Sequence, residues 1–151
     1  MSEVQAERAF KKHKKKIIAV MGIRETTDLQ LLDVAKKLFG KRFLGVYPQD
    51  TIPLGKTGML IANTDVSSGK GVHWTALVLT AKTVYIFDSF ARPAAKLMKV
   101  LTNNAKNKKI KIMNSDISDK EQSDASAICG QLCLAWLCVV KEMGVRAAMQ
   151  I

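Results

Sequence analysis

The sequence is short of the residues from which cross-links and special sites are built. Its 151 residues include three cysteines, three prolines and two histidines, and aromatic side chains make up only 6%. An odd number of cysteines argues against a disulfide framework and fits a reducing compartment. The cysteines at positions 129, 133 and 138 have no nearby histidine and form no Cys-x-x-Cys pair, which argues against a metal site.

Long uninterrupted apolar runs are also scarce near the N-terminus. The stretch Ile17–Met21 is far too short to span a bilayer or to act as the apolar core of a signal peptide. We therefore expect a protein that is neither secreted nor bound to a membrane. A chain of this length is predicted to form a single domain that buries its own core.

Acidic residues are scarce relative to basic ones, with 13 Asp and Glu against 24 Lys and Arg, a formal net charge of +11. This balance predicts non-specific attraction to polyanions. The lysines form two groups, with Lys11, Lys12, Lys14, Lys15 and Lys16 in the first, and Lys96, Lys99, Lys106, Lys108, Lys109 and Lys111 in the second. Few aromatics are interleaved with them, so base stacking is not expected and phosphate contact remains. For the first group alone, a solvated basic face is an equal alternative.

The most informative feature is a cysteine at the start of an apolar helix. Gln122 precedes Cys129 by seven residues, and Gly130 follows it. Helical spacing after Cys129 places five residues on one face: Leu132, Cys133, Trp136, Leu137 and Val140. The positive end of the helix dipole would stabilise a thiolate at Cys129, and Gly130 would let a substrate backbone approach. The Gln122 side chain and the Cys129 backbone N–H could together bind an oxyanion.

A cysteine nucleophile needs a base, and the sequence offers two histidines. His13 lies among lysines and is predicted to be solvated, whereas His73 opens a β-rich run. The next strand ends at Asp88, and a hairpin about Ala81 and Lys82 would bring His73 and Asp88 to the same end of a sheet. Asp88 could then accept the imidazole N–H and stabilise the imidazolium. A satisfied core histidine and a turn-forming aspartate are the structural alternatives.

The order of predicted elements indicates an α+β domain. A capping box at Thr27 begins a helix that stops at Gly40. Strands are predicted near residues 59–62, 72–80, 83–87 and 109–112, and a helix after Pro93. We expect one mixed sheet packed against helices, including the one that begins at Cys129. Residues 1–24 form a separate basic segment in this prediction, helical from Glu3 to Lys16.

Four blocks of residues, in order, resemble the maturation proteases of adenoviruses (adenains) and their relatives in virophages and large DNA transposons. The blocks are Phe43–Tyr47 (FLGVY), Ile61–Thr64 (IANT), Gly71–Trp74 (GVHW) and Gln122 with Cys129 and Gly130. The resemblance spans roughly residues 43–140. It implies an adenain-type cysteine protease domain over residues 25–151, with the nucleophile at a helix N-terminus.

The resemblance also implies a role for each matched residue. Cys129 would be the nucleophile, His73 the base, Asp88 the orienting acid and Gln122 an oxyanion-hole donor. The family often has Glu at the acid position, and Asp shortens that reach by one methylene. Four further residues would lie along the substrate, namely Asn63, Gly71, Trp74 and Gly130. Asn63 is equally typical of a turn, and Trp74 of packing beneath the site.

Two other functions remain open. Deconjugases of small ubiquitin-like modifiers belong to the same clan and share His-Trp, Gln…Cys-Gly and an Asp-Ser-Leu-like acid, to which Asp88-Ser89-Phe90 is similar. The Gln-to-Cys interval and the block Phe43–Tyr47 favour the viral proteases instead. The alternative of a different class is a non-catalytic basic DNA-binding module in which Cys129 is merely buried.

The resemblance extends to partners and activation. It implies cleavage of viral capsid or core precursors after glycine, in the virion and the infected host cell, together with non-specific binding of viral DNA through Lys11, Lys12, Lys14, Lys15, Lys16, Lys108, Lys109 and Lys111. Adenovirus relatives bind an activating peptide through a cysteine between the acid and the catalytic Gln. No cysteine lies between Asp88 and Cys129, so such a disulfide is excluded. No cofactor is required by the sequence, and DNA and a non-covalent peptide remain as candidate activators.

Overall fold

The computed structural model of the chain describes residues 3–69, 73–115 and 127–151. Its helices are α1 (Glu3–Met21), α2 (Asp28–Phe39), α3 (Ala94–Leu97), α4 (Lys99–Asn107), α5 (Cys129–Met143) and α6 (Val145–Ala148). Its strands are β1 (Phe43–Pro48), β2 (Gly58–Asn63), β3 (Trp74–Leu79), β4 (Thr83–Phe87) and β5 (Lys111–Asn114). Short 3-10 turns flank β1 at Gly40–Arg42 and Gln49–Thr51.

The strands form one five-stranded sheet in the order β1-β2-β3-β4-β5. The central pairs β2/β3 and β3/β4 are antiparallel, whereas β1/β2 and β4/β5 are parallel. Helices connect the strands of the parallel β4/β5 pair, as such crossovers require. The predicted single-domain α+β fold with a mixed sheet is therefore confirmed.

Helices cover both faces of the sheet. Residues of α1, α2, α5 and α6 pack on one face together with Met59, Ile61 and Ala76. Leu60, Leu77 and other residues that alternate with these point to the opposite face, where they meet α3 and α4. This alternation follows from the two-residue period of a strand. Every residue of α5 from Gly130 to Val140 is buried, so this helix lies at the centre of the larger layer.

Most predicted boundaries lie within a few residues of the observed ones. The capping box of α2 is present: Thr27 Oγ1 accepts from the Gln30 backbone N–H, and Gln30 Oε1 accepts from the Thr27 N–H. The predicted strand at 109–112 instead begins at Lys111, because Lys109 has a φ of 58° in the turn after α4. The helix after Pro93 is divided at Met98, whose backbone is not helical. The strand β1 was not predicted.

The basic N-terminal segment forms a longer helix than predicted, and the helix contributes to the core. Ala6, Phe10 and Ile17 are buried against the larger layer. The Phe10 ring contacts Phe87 edge-to-face at a centroid distance of 5.8 Å, and Phe87 stacks on Trp136 at 5.5 Å. Residues 3–21 thus share a hydrophobic core with α2, α5, α6 and one face of the sheet.

His13 differs from its prediction as a solvated side chain. Its Nε2 lies 2.6 Å from Glu142 Oε2, and only 20% of the His13 side chain is exposed. The reason is tertiary: α1 packs on α5, which brings positions 13 and 142 together although 129 residues separate them. Within the described ranges, none of the helices has both the length and the apolar character needed to cross a bilayer.

We predict that Phe10→Ala will lower the free energy of unfolding by about 3–5 kcal/mol, the usual cost of emptying a buried phenylalanine site. Phe10 is 1% exposed. The measurement is chemical denaturation followed by circular dichroism. Val20→Ala is the matched control on the same helix, because Val20 is 80% exposed and its truncation should change little. Equal, small effects of both variants would mean that α1 is not an integral part of the fold.

Candidate active site

The start of β3, the end of β4 and the start of α5 meet at one end of the central strands. The antiparallel pairing of β3 with β4 aligns Ala76 with Phe87, so His73, just before β3, and Asp88, just after β4, lie at the same end. The Thr80 N–H donates to Thr83 O at 2.9 Å and closes the predicted hairpin. The first residue of α5, Cys129, packs against this end. The sheet and one helix terminus together therefore assemble the site.

The three side chains form a continuous chain of hydrogen bonds. His73 Nε2 contacts Asp88 Oδ1 in a buried pair. The His73 imidazole also makes a hydrogen bond with the Cys129 thiol. Because Nε2 faces Asp88, the nitrogen left for the thiol is Nδ1. Carboxylate, imidazole and thiol are thus arranged in the order that a proton relay to a nucleophile requires.

Charge is stabilised on all three groups despite burial. Burial opposes the charged form of His73, but hydrogen bonds to Asp88 and Cys129 outweigh it and raise its pKa from 6.5 to about 9. Burial likewise disfavours the Cys129 thiolate, yet the imidazole and two backbone N–H groups lower the pKa of the thiol. The pKa of Asp88 is lowered against its burial by His73 and then Arg92. All three shifts act in favour of a thiolate–imidazolium pair beside a carboxylate.

The backbone contributes to the thiolate environment. The N–H groups of Trp74 and Gly130 act on the Cys129 sulfur and lower its pKa. Ile128, which precedes the helix, provides no side-chain cap, so the first N–H groups of α5 are not satisfied by a cap at that position. These groups and the helix dipole favour negative charge at the start of α5.

The other two cysteines lack this environment. Cys133 is completely buried, and burial raises the pKa of its thiol well above the usual value. Burial also raises the pKa of Cys138, to about 11. Both are inner residues of α5, whereas Cys129 is only partly buried. Of the three thiols, Cys129 is the one prepared to ionise.

A connecting segment, residues 22–27, packs beneath the start of α5, where Cys129 lies. Gln131 is fully buried, and its Nε2 donates to Gly22 O and Arg24 O at 2.8 Å each. The Trp74 indole Nε1 donates to Thr26 O at 3.1 Å. The segment thus ties the first turn of α5 to the start of β3. Gln131 was not predicted as a site residue, although a polar residue within an apolar helix is a visible signal in the sequence.

The predicted substrate residues have several different settings. Asn63 is buried and its Oδ1 accepts from the Asp65 N–H at 2.8 Å, which is the geometry of the turn alternative. Gly130 is also buried, and a Cβ there would lie 2.1 Å from Thr26 Oγ1. Close packing against Thr26 is therefore one reason for a glycine here, and its predicted role along the substrate stays a prediction. Trp74 packs beneath the site, as expected for a supporting residue. Gln122 and Gly71 lie outside the described residues.

The loop after β4 adds two residues that were not predicted. Asp88 Oδ2 accepts from both Nε and the backbone N–H of Arg92 at 3.0 Å each. The Phe90 ring lies between the imidazole of His73, at a centroid distance of 5.1 Å, and the guanidinium of Arg92, at 4.8 Å. No sequence pattern marks these contacts, because they arise from the fold of a short turn.

The two lysine groups occupy separate surfaces. Lys11, Lys12, Lys15 and Lys16 are exposed on α1, and Lys14 is half-buried. Lys108, Lys109 and Lys111 are exposed at the end of α4 and on the edge strand β5. Helices α1 and α4 cover opposite faces of the sheet. Each group could bind a polyanion independently, and the role of both stays a prediction. In the described ranges, no cluster of three His, Cys, Asp or Glu residues could hold a metal ion.

Comparison with known proteins adds a distant structural likeness. No protein-family model and no curated protein matches the chain. Among solved structures, it is similar to one described as an AvrA deletion variant with IP6 and CoA. The sequence identity is 17% and the TM-score 0.43, over 94% of this chain and 61% of the other. This chain therefore spans about three fifths of the length of that chain.

Proposed function

We propose that the protein is a cysteine endopeptidase in which Cys129 is the nucleophile, His73 the general base and acid, and Asp88 the orienting carboxylate. One observation carries the proposal. The Cys129 thiol lies at the N-terminus of α5 and is hydrogen-bonded to the His73 imidazole. The other nitrogen of that imidazole contacts the buried carboxylate of Asp88. A structural cysteine needs none of these partners, whereas each of them activates a cysteine nucleophile.

The reaction begins from the thiolate–imidazolium pair. The Cys129 sulfur attacks the scissile carbonyl carbon, a C–S bond forms, and the carbonyl electrons move to oxygen. His73 then gives its proton to the departing amine as the C–N bond breaks, which leaves a thioester on Cys129. Water, deprotonated by His73, attacks the thioester and releases the acid. The C–S bond breaks, and the proton taken from water stays on the imidazole. The thiolate–imidazolium pair is thereby restored.

Negative charge on the tetrahedral oxygen needs fixed donors. The backbone N–H at the start of α5 supplies one, because Cys129 is the first residue of the helix. By the family resemblance, the side-chain amide of Gln122 supplies the second. Preorganised donors of this kind typically contribute a factor on the order of 10²–10³ to kcat.

The substrate proposal rests on the resemblance to viral maturation proteases. We propose, by that resemblance, capsid or core precursors that are cut after glycine; a narrow substrate cleft would give such selectivity by admitting only positions without side chains. Deconjugation of a ubiquitin-like modifier would use the same groups and the same type of bond. The two functions differ in what precedes the scissile bond, which is an extended peptide in the first case and a folded domain in the second.

We predict that Cys129→Ala will reduce kcat by on the order of 10⁴ or more, as expected when a nucleophile is removed from a concerted set. Cys138→Ala is the matched control, because Cys138 lies on the same helix with its pKa raised to about 11. The assay is hydrolysis of a Gly-containing precursor peptide and of a ubiquitin-like modifier with a C-terminal extension. Preference for the folded modifier would favour the deconjugase.

Mild alkylation with iodoacetamide, followed by mass spectrometry, separates catalysis from the third alternative. The lowered pKa of Cys129 should make it react before Cys133 and Cys138. Equal inertness of all three thiols in the folded protein would support a non-catalytic DNA-binding module and contradict the peptidase.

The pH dependence of kcat/KM should be bell-shaped. Below the lowered pKa of Cys129 the pair takes up a proton and the thiolate is lost, and above about pH 9 His73 loses the proton needed by the leaving group. Asp88→Asn removes a charge that stabilises the imidazolium. The alkaline limb should therefore move to lower pH, and kcat should fall by roughly 10²–10⁴. An unchanged profile in Asp88→Asn would contradict the role of Asp88.

We further propose that duplex DNA binds through the lysine groups and raises the rate. Affinity should fall steeply with salt, with a slope of about −0.9 in log–log terms for each phosphate contact. Replacing the exposed Lys11 and Lys15 on α1 by Gln should make this slope shallower. Replacing Lys36 and Lys41, exposed but outside both groups, is the charge-matched control. A rate indifferent to DNA at low and physiological salt, with no binding, would contradict this proposal.

A further inference from the structure

The turn after β4 folds back so that one of its side chains, Arg92, contacts Asp88. Ala91 N–H donates to Asp88 O at 2.9 Å, with Ala91 at a φ of 57°, and this closes the turn. Arg92 is thereby placed beside Asp88, four residues earlier, and donates to its Oδ2 through Nε and the backbone N–H. The other oxygen, Oδ1, is left for His73. Both oxygens of the carboxylate are therefore committed.

The turn is held at its far end as well. Pro93 follows Arg92 and restricts the backbone of the residue before it. Ala94 N–H donates to Asn114 Oδ1 on β5 at 2.9 Å, which attaches the start of α3 to the edge strand. Arg92 is thus presented from a segment anchored on two strands, and such support is what keeps a carboxylate in one orientation.

An aromatic ring completes the arrangement. The Phe90 ring contacts two groups of the site. Its centroid lies 5.1 Å from that of the His73 imidazole and 4.8 Å from Cζ of the Arg92 guanidinium. A guanidinium over an aromatic face is attracted by the ring quadrupole. Phe90 therefore favours the Arg92 conformation that reaches Asp88, and it covers the imidazole that Asp88 holds.

We propose that Arg92 is a positioning residue of the site, which fixes the Asp88 carboxylate so that Oδ1 stays directed at His73. This inference rests on the proposed peptidase function and adds a residue that the family resemblance does not include. Arg92 acts through Asp88 and His73, and it does not contact the reacting atoms.

Two opposite effects of Arg92 must be weighed. Its positive charge competes with the imidazolium for Asp88, whereas its hydrogen bonds keep Asp88 in place. The Arg92 side chain is 40% exposed while that of Asp88 is 2% exposed, so water screens the charge but the hydrogen-bond geometry persists. Positioning is therefore the larger effect, and loss of Arg92 should weaken the relay.

Four ionisable groups face Asp88 or the pair it supports. His73 comes from the start of β3, Cys129 and Cys133 from α5, and Arg92 from the turn. Replacing the Arg92 side chain removes the Nε–H donor to Oδ2 and the contact with the Phe90 ring, while the backbone N–H donor remains. Asp88 would then be free to move. We therefore expect a shift in the pKa values of the His73–Cys129 pair.

The test compares Arg92→Gln and Arg92→Lys with the wild type, with Arg146→Gln as the charge-matched control on α6. Arg146 is exposed on α6, which follows the end of α5 opposite Cys129, and α5 itself is about 20 Å long at 1.5 Å per residue. Loss of one hydrogen bond to a charged group should lower kcat by about ten- to a hundredfold in Arg92→Gln, with KM unchanged. The acid limit of kcat/KM should also move to higher pH.

Arg92→Lys keeps the charge but lacks the planar Nε–H fork, so kcat should remain below the wild-type value. The pH dependence of iodoacetamide labelling at Cys129 gives a second readout that needs no substrate. Full wild-type kcat in either variant, or a change in KM alone, would overturn the positioning role. A wild-type protein with an inert Cys129 would instead overturn the peptidase proposal itself, so the two failures are distinguishable.

Discussion

The burial of α5 between α1 and the sheet is the constraint on which the rest of the structure depends. Eleven consecutive residues, Gly130–Val140, are buried, so the helix cannot slide or rotate without exposing apolar surface. Its first residue is Cys129, and this fixed position sets where a thiol meets the sheet edge. Apolar packing over the whole length of α5 thus determines the geometry of a polar site at one end.

The site in turn depends on opposite charges that stabilise one another. A thiolate, an imidazolium and a carboxylate at such low exposure would each be disfavoured alone. Together they are linked by hydrogen bonds, and the guanidinium of Arg92 and two backbone N–H groups supply further compensation. The surrounding shell is equally specific. Gln131 and Trp74 donate hydrogen bonds to backbone carbonyls of the segment 22–27 beneath Cys129, which leaves α5 and β3 little freedom relative to each other.

Much of the fold could be predicted because the signals were local. The capping box at Thr27, the hairpin before Asp88 and the apolar helix after Cys129 depend on residues close in sequence. Strand β1 was not predicted for two reasons. Its parallel pairing with β2 leaves no hairpin signal in the sequence, and it carries Gly45 and Pro48, which are poor strand formers. The N-terminal helix was predicted too short. Its many lysines outnumber the apolar residues Ala6, Phe10 and Ile17, which form its buried face.

For this protein, the sequence by itself determined which residues are chemically capable, namely one cysteine at a helix start, one histidine just before a core strand and one acid just after the next strand. It could do so because each position is defined by its own element. Only the tertiary structure decided that Arg92 and Phe90 lie beside Asp88 and His73, that Gly130 packs closely against Thr26, and that the two lysine groups lie on different surfaces. Those facts depend on contacts between segments distant in sequence or folded back by a turn, and no local pattern of residues encodes them.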